Sequence, residues 1–317
     1  MTDRHVLSTR PLARRSALVG GAGLVGLGLA ACSGNATTGG DSGGSGSGSG
    51  DSGGKTITMG YVPSWTDGLS TAYLLDNRLT EMGYSVKHQE IEEPAALYAG
   101  LAKGDIDIYP SAWPEVTHKK YMDKYGDDID DLDTYYGNAV LTIAVPKYTK
   151  IDSIADLTGN ADMFGGKIIG IEPGAGLTGV VKDDAMPTYG LDKEYELVTS
   201  STTAMLSELK KATEAEKDIV VTLWRPFWAN SAFPVKDLKD PEGAMGKKEG
   251  LHFLGKKDFA DDYADAAEFI GGIKLDDKQY NSLEDLVVNE YGKGKEADAV
   301  KKWLEDNPDV LPEVKKG

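Results

Sequence analysis

Four of the five tryptophans in this 317-residue chain fall in three short motifs: Tyr61-Val62-Pro63-Ser64-Trp65, Ser111-Ala112-Trp113-Pro114 and Leu223-Trp224-Arg225-Pro226-Phe227-Trp228. Each motif lies at, or just past, the end of an apolar, strand-like run. In open α/β proteins the strand ends are where ligands sit. An indole face also attracts cations that have no N–H to donate, quaternary ammonium above all. A single isolated tryptophan would read as core packing. Three motifs at strand ends point instead to a site with aromatic walls.

Other chemistry is scarce. His88, His118 and His252 are far apart in sequence, and neither an HExxH nor a GxSxG pattern occurs. The acidic run Asp127-Asp128, Asp130-Asp131 lacks the regular spacing of a calcium loop and reads as a solvated acidic face. The one cysteine, Cys32, leaves the rest of the chain without a disulfide or a cysteine metal site. The expectation is a protein that is not an enzyme and has no cofactor or metal.

The N-terminal region reads as a processing segment. Arg4, Arg10, Arg14 and Arg15 precede a short apolar stretch from Ala17 to Ala31, too short and glycine-rich for a transmembrane span. It ends in Leu29-Ala30-Ala31-Cys32, which resembles a bacterial lipobox. That implies a signal peptide over residues 1–31, lipidation of Cys32, and a protein tethered to the outer face of the cell membrane. Arg14-Arg15 is a partial twin-arginine match, which leaves the export route open. Residues 32–54 form a Gly/Ser-rich linker that cannot bury enough apolar surface to order itself. Removing residues 1–31 takes four Arg and one Asp from 34 basic and 51 acidic side chains, shifting the net charge from −17 to about −20. Such a surface argues against nucleic acid and anionic membrane as partners.

The remaining body alternates apolar runs with amphipathic stretches. Thr56–Val62 predicts a strand and is followed by a helix with Asp67 as N-cap and Gly83 as its end. Ser85–Ile91 is a second strand, Pro94 opens a short helix that stops at Gly104, and Ile106–Tyr109 is a third strand delivering Trp113. After a break the pattern returns with an apolar run at Val140–Val145, a helical stretch at Ile151–Leu157 and a strand at Lys167–Ile171. Glu172 to Thr178 turns into a helix, Ser200–Thr203 caps another, and Ile219–Leu223 carries Trp224. The C-terminal third is helical and charged, with Trp303 as packing on a surface helix. This is the βα order of parallel sheets covered by helices.

Five segments, in order, resemble one family: Gly60-Tyr61-Val62 with Trp65; Gly104-Asp105-Ile106-Asp107 through Ala112-Trp113-Pro114 to His118; Val145-Pro146-Lys147-Tyr148; Ile169-Gly170-Ile171-Glu172-Pro173-Gly174-Ala175-Gly176; and Val220-Val221-Thr222 with Trp224, Pro226 and Trp228. The family is the glycine betaine/proline betaine substrate-binding proteins of ABC importers, which also includes choline binders. The resemblance runs from about Lys55 to about Gly246. It implies a two-lobed type II periplasmic-binding-protein fold, each lobe a mainly parallel sheet flanked by helices, hinged around a ligand. The lobes would be 55–143 with 245–317, and 144–244. The chain would cross near Val140–Pro146 and again between Phe233 and His252. Implied partners are a quaternary ammonium compatible solute, a membrane permease and an ATPase, with the binding protein itself a monomer.

The resemblance also implies site roles. Trp113 and Trp224 match cage positions, and Trp65 is the third wall; Trp228, Tyr135 and Tyr136 are reserves. A betaine carboxylate needs donors, offered at helix N-termini by Gly68-Leu69 and Gly176-Leu177. His118 matches a family histidine that could hold the anion or cap its helix. Trp65-Thr66-Asp67 also resembles the choline-binding branch, so Asp67 either faces the ammonium or hydroxyl or caps its helix. Some members carry a tryptophan where this chain has Ala175, so the cage must be completed differently. Glycine betaine is the expected ligand, with choline, carnitine or another methylated ammonium compound open.

Overall fold

The computed structural model describes residues 54–314; the expected signal segment, Cys32 and nearly all of the linker lie outside the described residues. Strand β1 (Thr56–Tyr61) is buried over its second half and leads through Trp65, the N-cap residue, into α1 (Thr66–Glu81). β2 (Ser85–Glu90) follows and pairs in parallel with β1 along all six residues. Helix α2 (Pro94–Lys103) starts on Pro94, whose missing N–H costs nothing there, and stops at left-handed Gly104, φ 77°. β3 (Ile108–Ala112) begins two residues later than the apolar run suggests. Asp107, just ahead of it, is tied to both neighbouring strands: its amide donates to Thr58 O at 2.9 Å, its carbonyl accepts the Lys256 amide at 3.0 Å, and its carboxylate takes the Thr58 amide at 2.8 Å and pairs with Lys256.

Beyond α3 (Lys119–Tyr125), the long strand β4 spans Ile129–Pro146. Only its apolar second half was legible as a strand, because Asp130, Asp131 and Asp133 disguise the first. Those acids are not simply a solvated face. Asp130 accepts the Phe259 amide at 3.1 Å, and Asp131 pairs with His252 at 2.9 Å.

β5 (Lys167–Ile169) leads through the Pro-Gly-Ala-Gly turn into α4 (Gly176–Val180), which runs on through a π turn (Val181–Ala185) to α5 (Met186–Tyr189). Then come β6 (Glu196–Val198), α6 (Thr202–Glu214) with its Ser201 side-chain cap, β7 (Val221–Arg225), α7 (Ala229–Ala232) and β8 (Val235–Asp237). The stretch 151–157 forms only a 3₁₀ turn, Ile154–Leu157, closed by a Ser153/Asp156 capping box. β9 (Glu249–Lys256) is followed by α8 (Phe259–Asp262), α9 (Ala264–Gly271), α10 (Asp277–Asp285) and α11 (Glu296–Asp306).

The strands lie in the order β2-β1-β3-β9-β4-β7-β5-β6, with β8 also on β4. β2-β1-β3 and β7-β5-β6 are parallel, as expected from their βα connections, while β9, β4 and β8 pair antiparallel. The architecture is thus α/β with a mixed sheet. β4 serves both halves: it pairs with β9 from Ile129 to Ala139 and with β7 from Val140 to Ala144. The chain returns between β8 and β9, over residues 238–248. Trp303 is fully buried, not on a surface; its indole donates to Ser282 Oγ at 2.8 Å, and α11 packs on α1.

Candidate ligand-binding site

Trp65, Trp113 and Trp224 line one small cavity, and each is buried. Its remaining walls include Asp67, Thr117, His118, Leu141, Ile171, Ala175, Gly176 and Leu177. Three strand ends supply the indoles. Trp65 follows β1, Trp113 follows β3, and Trp224 sits within β7 with Leu141 of β4 as its cross-strand partner. Phe227 stacks behind Trp224, centroids 3.9 Å apart and 19° between planes, so that indole is held by a second ring. Trp65 lies nearly parallel to the His118 ring at 5.8 Å.

Asp67 does not cap α1. It lies in the first turn, 3% exposed, and its Oδ2 accepts the Trp113 indole N–H at 3.0 Å and the Ser111 hydroxyl at 2.7 Å. Ser111 is joined in turn to the Tyr135 hydroxyl at 2.8 Å. Burial pushes the Asp67 carboxyl above its ordinary range, and the Trp113 and Ser111 donors oppose that shift. The result is an acidic group on the wall of an otherwise mainly apolar cavity.

His118 is fully buried at the head of α3 and makes no side-chain cap. The Trp113 amide donates to its Nδ1 at 3.1 Å, which places the ring proton on Nε2. Burial, assisted by nearby Lys120, pushes this histidine down to about 3, so the ring is neutral. The loop from Trp113 to His118 is pinned by Glu249, which accepts the Val116 amide at 3.0 Å and both the amide and hydroxyl of Thr117.

Gly176 and Leu177 open α4, and their amides have no hydrogen-bond partner among the described residues. A Cβ at Gly176 would lie 1.8 Å from the Thr117 carbonyl oxygen. Only glycine permits these two segments to touch.

The other donor pair fares differently. The Leu69 amide is used within the helix by Trp65 O at 3.2 Å, Leu69 faces another groove, and Gly68 packs toward Tyr61 and Ser111. The reserve aromatics also lie elsewhere. Tyr135 stacks on Phe253 at 4.5 Å in the core, Tyr136 packs on Tyr280 at 5.2 Å, and Trp228 packs against Phe227 and Phe233. None of the three lines the cavity.

Sequence reasoning missed Thr117, Leu141 and Ile171 as walls. It quoted Glu172 only as part of a motif, although its carboxylate holds the Trp65 indole N–H at 3.2 Å. The adjacent Pro-Gly turn marked the region, but nothing local linked it to a residue about a hundred positions earlier.

Residues 55–306 match the family model described as the substrate-binding domain of ABC-type glycine betaine transport systems. A glycine betaine/carnitine transport binding protein of Listeria monocytogenes is 36% identical over 148 residues, which cover 45% of this chain and 47% of that protein. The chain therefore matches about half the length of that relative. A glycine betaine/L-proline-binding protein of Borrelia burgdorferi has the same architecture, with a TM-score of 0.75 and 33% identity over 82% of this chain and 97% of that one. A lactococcal binding protein in a closed form with glycine betaine gives a TM-score of 0.73 and 30% identity over 80% and 96%. These neighbours are two-lobed binding proteins.

Proposed function

Since the chain belongs to the family of substrate-binding domains of ABC-type glycine betaine transport systems, we propose that it captures glycine betaine or a closely related quaternary ammonium solute between Trp65, Trp113 and Trp224. The observation that carries this reading is three buried indoles converging on a cavity whose wall includes a buried carboxylate. A trimethylammonium group has no N–H and spreads its charge over methyl groups, so it is best held by electron-rich, apolar walls. Each ring contributes about 0.5–2 kcal/mol when desolvated. Three rings together contribute up to about 6 kcal/mol, most of the roughly 8 kcal/mol that micromolar binding requires.

The carboxylate end is assigned to the amides of Gly176 and Leu177 and to the Nε2–H of His118. All three line the cavity, and the helix that begins at Gly176 adds a favourable dipole. Asp67 sits beside Trp113 and favours the cationic end. The lobes are taken as 55–143 with 245–317, and 144–244. Support comes from β4, which exchanges β9 for β7 between Ala139 and Val140, and from the return over residues 238–248. Closure around the ligand then completes a cage with walls from both lobes.

The protein is proposed to act outside the cytoplasm as a binding protein without enzymatic activity, handing its ligand to a permease driven by an ATPase. Acylated Cys32 would tether it to the membrane. No helix among the described residues is long and apolar enough to cross a membrane. Calorimetric titration with glycine betaine and then choline tests the reading. Tight binding of glycine betaine with weaker choline is expected. Absence of binding to either ligand refutes the cage, and a preference for choline would make Asp67 the group that selects the ligand.

A further inference from the structure

Trp65 is held from across the cleft. Its indole N–H donates to Glu172 Oε2 at 3.2 Å, and the Ser64 hydroxyl donates to Oε1 at 3.2 Å. Ser64 and Trp65 belong to the first proposed lobe; Glu172 follows β5 in the second. Two more donors reach the same carboxylate from its own side. The Thr202 amide bonds to Oε1 and the Thr202 hydroxyl to Oε2, both at 2.9 Å. Thr202 is the first residue of α6, so the helix dipole favours negative charge at this point. Glu172 is 8% exposed, and its own carbonyl is fixed by the Thr178 hydroxyl at 2.9 Å.

We propose that Glu172 is an interlobe latch. Arranged in advance by Thr202, it takes the Trp65 indole and the Ser64 hydroxyl when the cleft closes, and so fixes one cage wall only in the closed protein. The proposal rests on the aromatic-cage reading and deepens it. Four donors converge on two oxygens. The hydroxyls of Ser64 and Thr202 can turn to accept, but the Trp65 indole N–H and the Thr202 amide cannot. Glutamine has the same size, yet whichever way its amide is flipped, its nitrogen faces one of those two N–H groups.

Because the two cross-cleft bonds form only on closure, removing them should speed ligand escape and leave capture unchanged. Glu172 is therefore a positioning residue for Trp65. A residue that served only the folding of its own lobe would not separate the two rates in this way.

The test is stopped-flow tryptophan fluorescence with glycine betaine, alongside thermal melts without ligand. Glu172→Gln should raise the dissociation rate roughly ten-fold, with the association rate within about two-fold. Ser64→Ala, which removes one hydroxyl from a part-buried turn, should raise dissociation by a smaller factor in the same direction. Introduced into a Trp65→Phe chain, which already lacks the indole donor, Glu172→Gln should have well under half of its effect on the logarithm of the rate. Unchanged dissociation in both Glu172→Gln and Ser64→Ala overturns the latch, as does a full, additive effect in the Trp65→Phe background. If the unaltered chain fails to bind glycine betaine, the cage reading falls and the latch with it; intact binding with unchanged dissociation removes the latch alone.

Discussion

Replacing Gly176 by alanine should separate closure from folding. The new Cβ would lie 1.8 Å from the Thr117 carbonyl oxygen and 2.5 Å from its carbon, where ordinary contact begins near 3.4 Å. The two segments must therefore part by roughly 1.5 Å. Thr117 cannot swing away cheaply, because Glu249 holds both its amide and its hydroxyl. Overpacking of this kind costs about 1–3 kcal/mol, which corresponds to roughly 5- to 150-fold in affinity. The loss should be at the upper end, because the obstacle is backbone.

The ligand-free fold has no such objection. Gly176 does not adopt a positive φ, and alanine is the better helix former by up to about 1 kcal/mol. Calorimetry with glycine betaine and a thermal melt without ligand form the assay. The expected result is an unchanged or slightly raised melting temperature with affinity at least ten-fold weaker. Unchanged affinity would refute the close approach of Gly176 and Thr117. A melting temperature lowered by several degrees would mean that Gly176 serves the fold rather than closure.

Trp113→Ala and Trp224→Ala should each weaken glycine betaine binding at least ten-fold in calorimetry, whereas Trp303→Ala should act on stability, costing about 3–5 kcal/mol in denaturant unfolding, because Trp303 is fully buried away from the cavity. Asp67→Asn keeps the shape but removes the acidic group beside Trp113; choline, a net cation, should lose affinity about ten-fold, and zwitterionic glycine betaine less, with equal losses counting against an electrostatic role for Asp67. Burial raises Glu284 to about 8, with neighbouring Asp67 adding to the shift. A carboxyl raised in the folded state binds more protons than in the unfolded chain, so its contribution to stability falls as pH rises from the ordinary carboxylate range through about 8. Glu284→Gln should therefore raise the melting temperature at pH 8 more than at pH 4, and an equal effect at both would refute this. His252 is raised by Asp131 and Glu115, against the opposing effect of burial. Its stabilisation is complete below its ordinary value and fades as pH climbs through the raised one, so His252→Gln should flatten the loss of stability as pH rises above the ordinary histidine range.

What could be read from the sequence had local causes. Apolar runs with turn residues between them placed β1, β2 and α2 to within a residue or two, since Pro94 and Gly104 act on their own backbone. The position of the indoles at strand ends marked Trp65, Trp113 and Trp224, because a strand followed by a turn delivers its next side chains to one edge of the sheet. The first half of β4 was hidden, since its acids find partners on β9 and on the Phe259 turn, distant in sequence. Tyr135, Tyr136 and Trp228 were indistinguishable from cage residues in the sequence. Composition gives an aromatic ring no address, and only packing against Phe253, Tyr280 and Phe233 settles where they go. Asp67 stands where the sequence suggests a capping residue, and only the approach of Ser111 and Trp113 to its carboxylate shows that it does not cap α1.

The sequence by itself determined the βα order, both ends of α2, the start of α6 and the chemistry of the cavity walls, because propensity, capping and side-chain type act within a few residues. The tertiary structure alone decided which rings converge, that Glu172 reaches Trp65, and that Gly176 must be glycine. Each of these depends on surfaces from distant parts of the chain meeting at van der Waals distance, a condition fixed by packing and invisible to any local pattern.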